Sequence, residues 1–323
     1  MNTQRTPTDT RGTPTDTNQQ TPDGSVRNKV VVITGASSGL GLQTAKQLAS
    51  QRAEIAMVCR DPSRGDAARS QVAAAASGKA PVLLLADLSV QGEVRRVAEE
   101  IKNRFDRVDI LINNAGGAYA QRQMSAEGIE LTWATNHLAP FLLTDLLLPL
   151  LVAAPAGRIV NVTSEIYSRK LDLDNLQGER KYSFFGAYRI SKLGNVLFTR
   201  ELAERLDGAG VTAVSVSPGA AKTNFGGQGP GGVMGLLTGV LRRTPVFRPA
   251  DEAAKGIVWA AIAPELNGDG GGLFMRRKAL KLKGAAADQA LAARVWRISE
   301  AQTGIDPERS SMAVVSSRTR SGA

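Results

Sequence analysis

Lys29–Gly41 reads KVVVITGASSGLG, and the order of its parts decides the fold. The β-branched run Val30 to Ile33 suits a strand buried on both faces. Gly35, Gly39 and Gly41 follow in a turn, and apolar periodicity resumes from Leu42 to Leu48. Strand, glycine turn, helix is the order of a phosphate-binding βα unit. The glycines let the backbone approach a pyrophosphate, and the helix N-terminus offers unpaired N–H groups with a partial positive charge. The spacing is G-x-x-x-G-x-G, not the common G-x-G-x-x-G fingerprint. The turn alone therefore leaves its ligand open.

Outward from this unit the chain alternates in the same way. Apolar runs at Val30–Ile33, Glu54–Cys59, Val82–Ala86, Val108–Ile112, Arg158–Val162, Thr212–Val216 and, more weakly, Leu273–Met275 predict strands. Helical periodicity is expected over Leu40–Ser50, Arg64–Ala76, Val90–Phe105, Met124–Leu150, Tyr188–Leu206 and Asp251–Ala261. Such alternation predicts an α/β fold, a Rossmann-type doubly wound parallel sheet in a single domain over residues 28–305. Ligands of such sheets bind at the carboxyl ends of the strands.

The flanks read differently. Residues 1–27, with TPTDT at 6–10 repeated at 13–17, hold too little apolar surface to offset chain ordering, and a disordered arm is expected. The arm lacks the apolar core of a signal peptide. Residues 306–323 return to Ser, Arg and Gly and are expected to form a flexible tail. The longest apolar stretch, Phe141 to Ala156, is broken by Asp145, Pro149 and Pro155, so no transmembrane segment is predicted. One cysteine, Cys59, and one histidine, His137, exclude an internal disulfide and argue against a metal site; a reducing, cytoplasmic setting fits. The formal net charge is +10, with seven Lys/Arg against the lone Asp288 in residues 271–297. Without interleaved aromatics this basic stretch reads as a solvated surface, and nucleic acid is not expected as a partner.

The strand ends carry the chemistry. An acidic residue about 20 positions past the glycines would take the ribose hydroxyls of NAD. Here the tip is Cys59, followed by Arg60, whose guanidinium suits a 2′-phosphate, with Arg64 as a second contact. NADP is therefore expected in preference to NAD. Asp87 suits either an adenine amino group or a helix N-cap. Tyr188 and Lys192, at i and i+4, share one helix face. A lysine cation beside a tyrosine favours the phenolate and gives a proton donor and acceptor near neutral pH.

TGASSGLG at 34–41, NNAG at 113–116, Asn136 in TNHLAPFLLT, Ser164, YRISK at 188–192 and PG at 218–219 occur in the order found in short-chain dehydrogenases/reductases, and the chain resembles that family over about residues 27–285. CRD at 59–61, RIVNVTS, NLQGE at 175–179 and SKLGNVLFTRELAERL are similar to its retinol dehydrogenase branch. The resemblance implies Tyr188 as general acid/base, Ser164 as the group polarising the substrate oxygen, Lys192 on the nicotinamide ribose, and Asn136 holding a relay water. It further implies cofactor contacts from Thr34, Gly35, Ser37, Ser38, Gly39, Leu40 and Gly41, from Asp87, Leu88, Asn113, Ala115 and Gly116, from Tyr188 and Lys192, and from Pro218, Gly219 and Thr223. His137 reads as a plain helix residue. Asn161-Val162-Thr163 fits a glycosylation pattern, yet lies in a strand expected to be buried.

What this implies is an oxidoreductase interconverting an alcohol and an aldehyde or ketone. A non-catalytic NADP-binding regulator and a reductase of a carbon–carbon double bond are the alternatives. Substrate contacts are expected from 117–123, 165–185 and a segment of about 219–250, whose apolar residues at helical spacing form either a lid for a hydrophobic molecule or a packed helix. The same segment, followed by Arg242 and Arg243, suits contact with a membrane surface. A homo-oligomer is compatible with this reading.

Overall fold

The computed structural model describes residues 25–220, 248–308 and 310. Its strands are β1 (Val30–Thr34), β2 (Glu54–Cys59), β3 (Val82–Leu85), β4 (Ile110–Asn113), β5 (Gly157–Val162), β6 (Val211–Ser217), β7 (Leu273–Met275) and β8 (Lys278–Ala279). They form one sheet in the order β3-β2-β1-β4-β5-β6-β7-β8, parallel except for the β7–β8 hairpin. The order reverses at β1, so β1 and β4 part at their carboxyl ends and open a crevice there.

Burial follows the pleat. Along β1, Val30 and Val32 enter one core layer while Val31 and Ile33 enter the other. The first layer is covered by α3 (Gln91–Arg104), α4 (Leu131–Val152) and α5 (Phe184–Arg205), the second by α1 (Gly39–Ala49), α2 (Pro62–Ala75) and α6 (Ala250–Ile262). Each fully buried Val, Leu or Ile contributes about 1.5–3 kcal/mol. A third cluster, with Trp133, Leu193, Val196, Leu197 and Val295, joins α4 and α5 to α7 (Gln289–Thr303).

Helix α7 was expected only as a solvated basic element, not as part of the packed structure. It lies in the basic stretch, whose apolar residues Ala292, Val295 and Trp296 are buried. Helix α4 begins at Leu131, not Met124, because Gly128 takes φ +71° in a turn closed by Ser125 N donating to Ile129 O at 2.7 Å. Glu130 then caps the helix, accepting from Thr132 N and Trp133 N. Helix α5 begins earlier than expected, at Phe184, where the Ser183 hydroxyl accepts from Gly186 N at 3.1 Å. Tyr188 thus lies inside the helix, one turn from its start.

Among the described residues α4 alone is long and apolar enough to cross a membrane, but 72% of its apolar window is buried within the protein. Ser310, in the expected tail, is buried and donates to Asp145 of α4 at 3.0 Å. Most of the 219–250 segment and Thr223 lie outside the described residues. The described residues on either side of that gap meet directly: Arg248 N donates to Ala220 O at 2.9 Å.

Candidate active site

The glycine turn is fixed by contacts that leave no room for side chains. Gly35 has φ +68°, and a Cβ there would stand 2.8 Å from Ala115 Cα. A Cβ on Gly41 would stand 2.4 Å from Gly35 O and 2.5 Å from Asn114 Nδ2. Gly39 takes φ +54°, in the left-handed region that suits glycine. Thr34, buried at the end of β1, accepts on Oγ1 from Asn114 N at 3.0 Å and Ala115 N at 2.9 Å. Asn114 Nδ2 donates back to Thr34 O at 2.8 Å. The β1 and β4 loops are thereby riveted together. Asn114, absent from the expected site, was signalled only as the second Asn of NNAG.

Helix α1 starts from Ser38 with no side-chain cap on its N-terminus. Its first N–H groups and dipole are therefore available to an anion. The Ser38 hydroxyl instead accepts from Arg64 Nη2 at 3.3 Å, which brings a guanidinium from α2 over the turn. Arg60 is exposed beside it. Asp61 caps α2, accepting from Arg64 N at 2.8 Å. Burial pushes the Cys59 thiol up to about 11, so it remains a neutral thiol. The uncapped helix N-terminus and the guanidinium beside it suit this end of the crevice to an anionic ligand.

Two of the expected cofactor residues have side chains engaged within the protein. The Asn113 side chain points into the core, where Nδ2 donates to Thr144 Oγ1 at 3.1 Å and Asn161 Oδ1 at 2.9 Å. A side chain on the last residue of a strand covered on both faces turns inward by the pleat, so Asn113 holds β4 to β5. Asp87 is not the cap of α3; it accepts from Ser89 N at 3.0 Å and Ser89 Oγ at 2.7 Å in a local turn and remains part-buried beside Leu88.

Ser164, Tyr188, Lys192 and Asn136 converge across the crevice. Ser164 follows β5 and hydrogen-bonds the Tyr188 phenol. Burial raises the Tyr188 pKa, Ser164 draws it down, and the nearby Glu165 carboxylate raises it again. Lys192 Nζ lies 5.8 Å from the Tyr188 ring centroid and donates to Val162 O at 3.0 Å. Burial lowers the Lys192 pKa to about 8. The lysine was expected to pull the tyrosine down, but burial dominates Tyr188 in this structure and keeps its phenol protonated at neutral pH.

Asn136 lies in a π-helical turn, Ala134–Leu138, within α4. Ala139 N bonds back five residues to Ala134 O, and Pro140 has no N–H to offer Asn136 O one turn earlier. The Asn136 carboxamide is fully engaged. Oδ1 accepts from Gly117 N at 2.7 Å, while Nδ2 donates to Gly117 O at 2.8 Å and Ser191 Oγ at 2.9 Å. A Cβ on Gly116 would stand 3.1 Å from Asn136 Oδ1 and 3.7 Å from Lys192 Nζ, so NNAG closes directly over both.

The sequence matches the short chain dehydrogenase family over residues 29–229. The chain is a member of that family. It is 36% identical to mouse retinol dehydrogenase 14 over 293 residues, covering 87% of this chain and 88% of the relative. It is also 36% identical, over 286 residues, to a Streptomyces protein assigned as daunorubicin C-13 ketoreductase, covering 88% of this chain and 96% of that one. A crystal structure of an uncharacterized Mycobacterium paratuberculosis protein superposes with a TM-score of 0.70 at 31% identity, covering 87% of this chain and 95% of that one. The fold also matches NADPH-bound carbonyl reductase from chicken fatty liver, with a TM-score of 0.62 at 23% identity over 79% of this chain and 100% of that one.

As a short chain dehydrogenase of the retinol dehydrogenase-like branch, the chain is an oxidoreductase of small-molecule alcohols and carbonyls that uses a nicotinamide cofactor. The other site elements then find their places. Pro218 and Gly219 follow β6; Gly219 takes φ +74° and donates from its N–H to Ser217 Oγ at 3.2 Å. Ser217 Oγ also donates to the Glu165 carboxylate, linking β6 to the residue after Ser164. The segments 117–123 and 165–185 are tied by Tyr182 Oη donating to Tyr119 O at 2.7 Å and Arg122 Nε to Gln177 O at 2.9 Å. Ile166 and Phe185 on that rim are more than half exposed.

Proposed function

We propose that this short chain dehydrogenase interconverts an alcohol with an aldehyde or ketone on a lipophilic molecule, using NADP(H), with Ser164, Tyr188, Lys192 and Asn136 as its working set. The observation that carries the reading is the convergence of these side chains over Gly116, opposite an uncapped helix N-terminus with Arg64 beside it. When bound, the nicotinamide supplies or accepts the hydride. The uncapped start of α1 would receive the pyrophosphate, and Arg60 and Arg64 would receive a 2′-phosphate.

Each protein group has a task that follows from its surroundings. Ser164 donates to the substrate oxygen and sets it within reach of the Tyr188 hydroxyl. Tyr188, protonated at neutral pH, donates its proton to that oxygen as hydride reaches the carbon, and takes it back in oxidation. Lys192, buried with Val162 O as its protein acceptor, directs its remaining N–H groups to the ribose and to the Tyr188 side. The Asn136 carboxamide is already engaged, so the acceptor left for a relay water is its backbone oxygen, deprived of a helical donor by Pro140. The exposed Ile166 and Phe185 offer apolar surface to the substrate.

Cofactor oxidation with a panel of aliphatic, aromatic and steroid carbonyls, run with NADPH and NADH in parallel, tests the proposal. Turnover is expected to favour NADPH and to rise with substrate apolarity. Binding of neither nucleotide would overturn it.

A further inference from the structure

His137 adjoins Asn136 in the π-helical turn but faces away from the crevice, and its surroundings tie the turn to a helix far along the chain. The ring is fully buried and stacks on Trp133 at a centroid distance of 4.0 Å. Nε2 lies 2.8 Å from Ser299 Oγ of α7, and Nδ1 lies 3.4 Å from Asn195 Oδ1 of α5. Ser299 Oγ, with a single hydrogen to donate, also lies 2.8 Å from Val295 O. Asn195 Oδ1 can only accept, so the ring proton lies on Nδ1 where that contact is a hydrogen bond and on Nε2 where Ser299 keeps its bond to Val295. In either tautomer Nε2 and Ser299 Oγ share one hydrogen bond. Gly194 makes the room: a Cβ there would stand 2.7 Å from the Trp133 ring and 2.8 Å from His137 Nδ1. Burial lowers the His137 pKa to about 3, so the ring is neutral and its hydrogen-bond pattern does not change over the working pH range.

The rest of α7 anchors this contact. Trp133 Nε1 donates to Gln302 Oε1 at 2.8 Å, and the neighbouring helix α3 holds the end of α7 through Arg95 Nη2 to Thr303 O and Gln91 Nε2 to Gln302 O, each at 2.7 Å. On its crevice side, the same turn presents Asn136 to Gly117 and Ser191. A π-turn holds one residue more than the α-helical ladder requires, so its register needs an external constraint.

We propose that His137 is a positioning residue for the reaction: locked to Ser299, it fixes the π-turn that aims Asn136, which makes the C-terminal helix part of the support of the active site. The inference rests on the assignment of Asn136 to the working set. Its test is a double-mutant cycle read as kcat and KM for NADPH-dependent reduction of decanal, with melting temperature recorded for every variant. Ser299→Ala and His137→Leu should each lower kcat about tenfold, with both KM values within about twofold. Ser299→Thr, which keeps the hydroxyl, should restore most of the rate. In an Asn136→Ala background the Ser299→Ala change should add no further loss, because it acts through the same group. Unchanged kcat with a lowered melting temperature, or losses that multiply in the double variant, would overturn the inference while leaving the Asn136 assignment standing. Wild-type turnover by Asn136→Ala would overturn both. A crystal structure of Ser299→Ala reads the same point without turnover. Asn136 should lengthen its contacts to Gly117 or Ser191, and contacts that keep 2.7 and 2.9 Å would reject the proposal.

Discussion

The two sides of the crevice are built on opposite principles. At the end of β1 the site is defined by side chains that are missing: Gly35 and Gly41 meet backbone at less than 3 Å from any added Cβ. At the ends of β5 and α4 it is defined by side chains that must be present and held, from Ser164 and Lys192 to the engaged carboxamide of Asn136. The first side tolerates no addition, and the second tolerates no removal. A steric constraint is local and absolute. A polar arrangement is only as good as the groups behind it.

The largest expected effect falls on the second side. Tyr188→Phe should reduce kcat about a thousandfold while leaving the NADPH dissociation constant within about twofold, as stopped-flow and fluorescence titration would show. Rate loss accompanied by equal loss of cofactor affinity would mean the tyrosine builds the cofactor site rather than moves the proton. Gly41→Ala probes the first side. The added methyl must displace Gly35 O and Asn114, so a stability loss of about 1–3 kcal/mol by chemical denaturation and loss of cofactor binding are expected together. Full stability with cofactor binding intact would show that the turn can relax.

A smaller effect should mark the rim of the same turn. Arg64→Ala removes the guanidinium above Ser38 and should weaken NADPH about tenfold and NADH little, measured by calorimetry. Equal losses would place the 2′-phosphate elsewhere. The last effect concerns acid stability. The fold holds His137 near 3, whereas an unfolded histidine titrates near 6.5. Between those values the unfolded chain binds the extra proton, so this residue lowers stability as pH falls, by up to about 1.4 kcal/mol per pH unit. His137→Gln should flatten the dependence of melting temperature on pH in that window, and an unchanged slope would mean the ring is already protonated in the fold.

The same contrast explains what could be read from the sequence. The glycine turn, the parallel sheet and the pairing of Tyr188 with Lys192 were legible because their partners lie within a few residues or follow from the alternation of strand and helix. The inward side chain of Asn113 was not legible, because its motif says that a strand ends there but not which way the pleat turns it. The turn that displaces the start of α4 hung on Gly128 inside an otherwise helical pattern. The setting of His137 was not legible, since its partner Ser299 lies 162 residues away on a helix hidden within a basic stretch. Nothing in a 3.6-residue periodicity records such a contact.

The hydrogen bond between Ala220 and Arg248 has a consequence of a different kind. That one backbone rung holds the chain just after β6 to the chain just before α6.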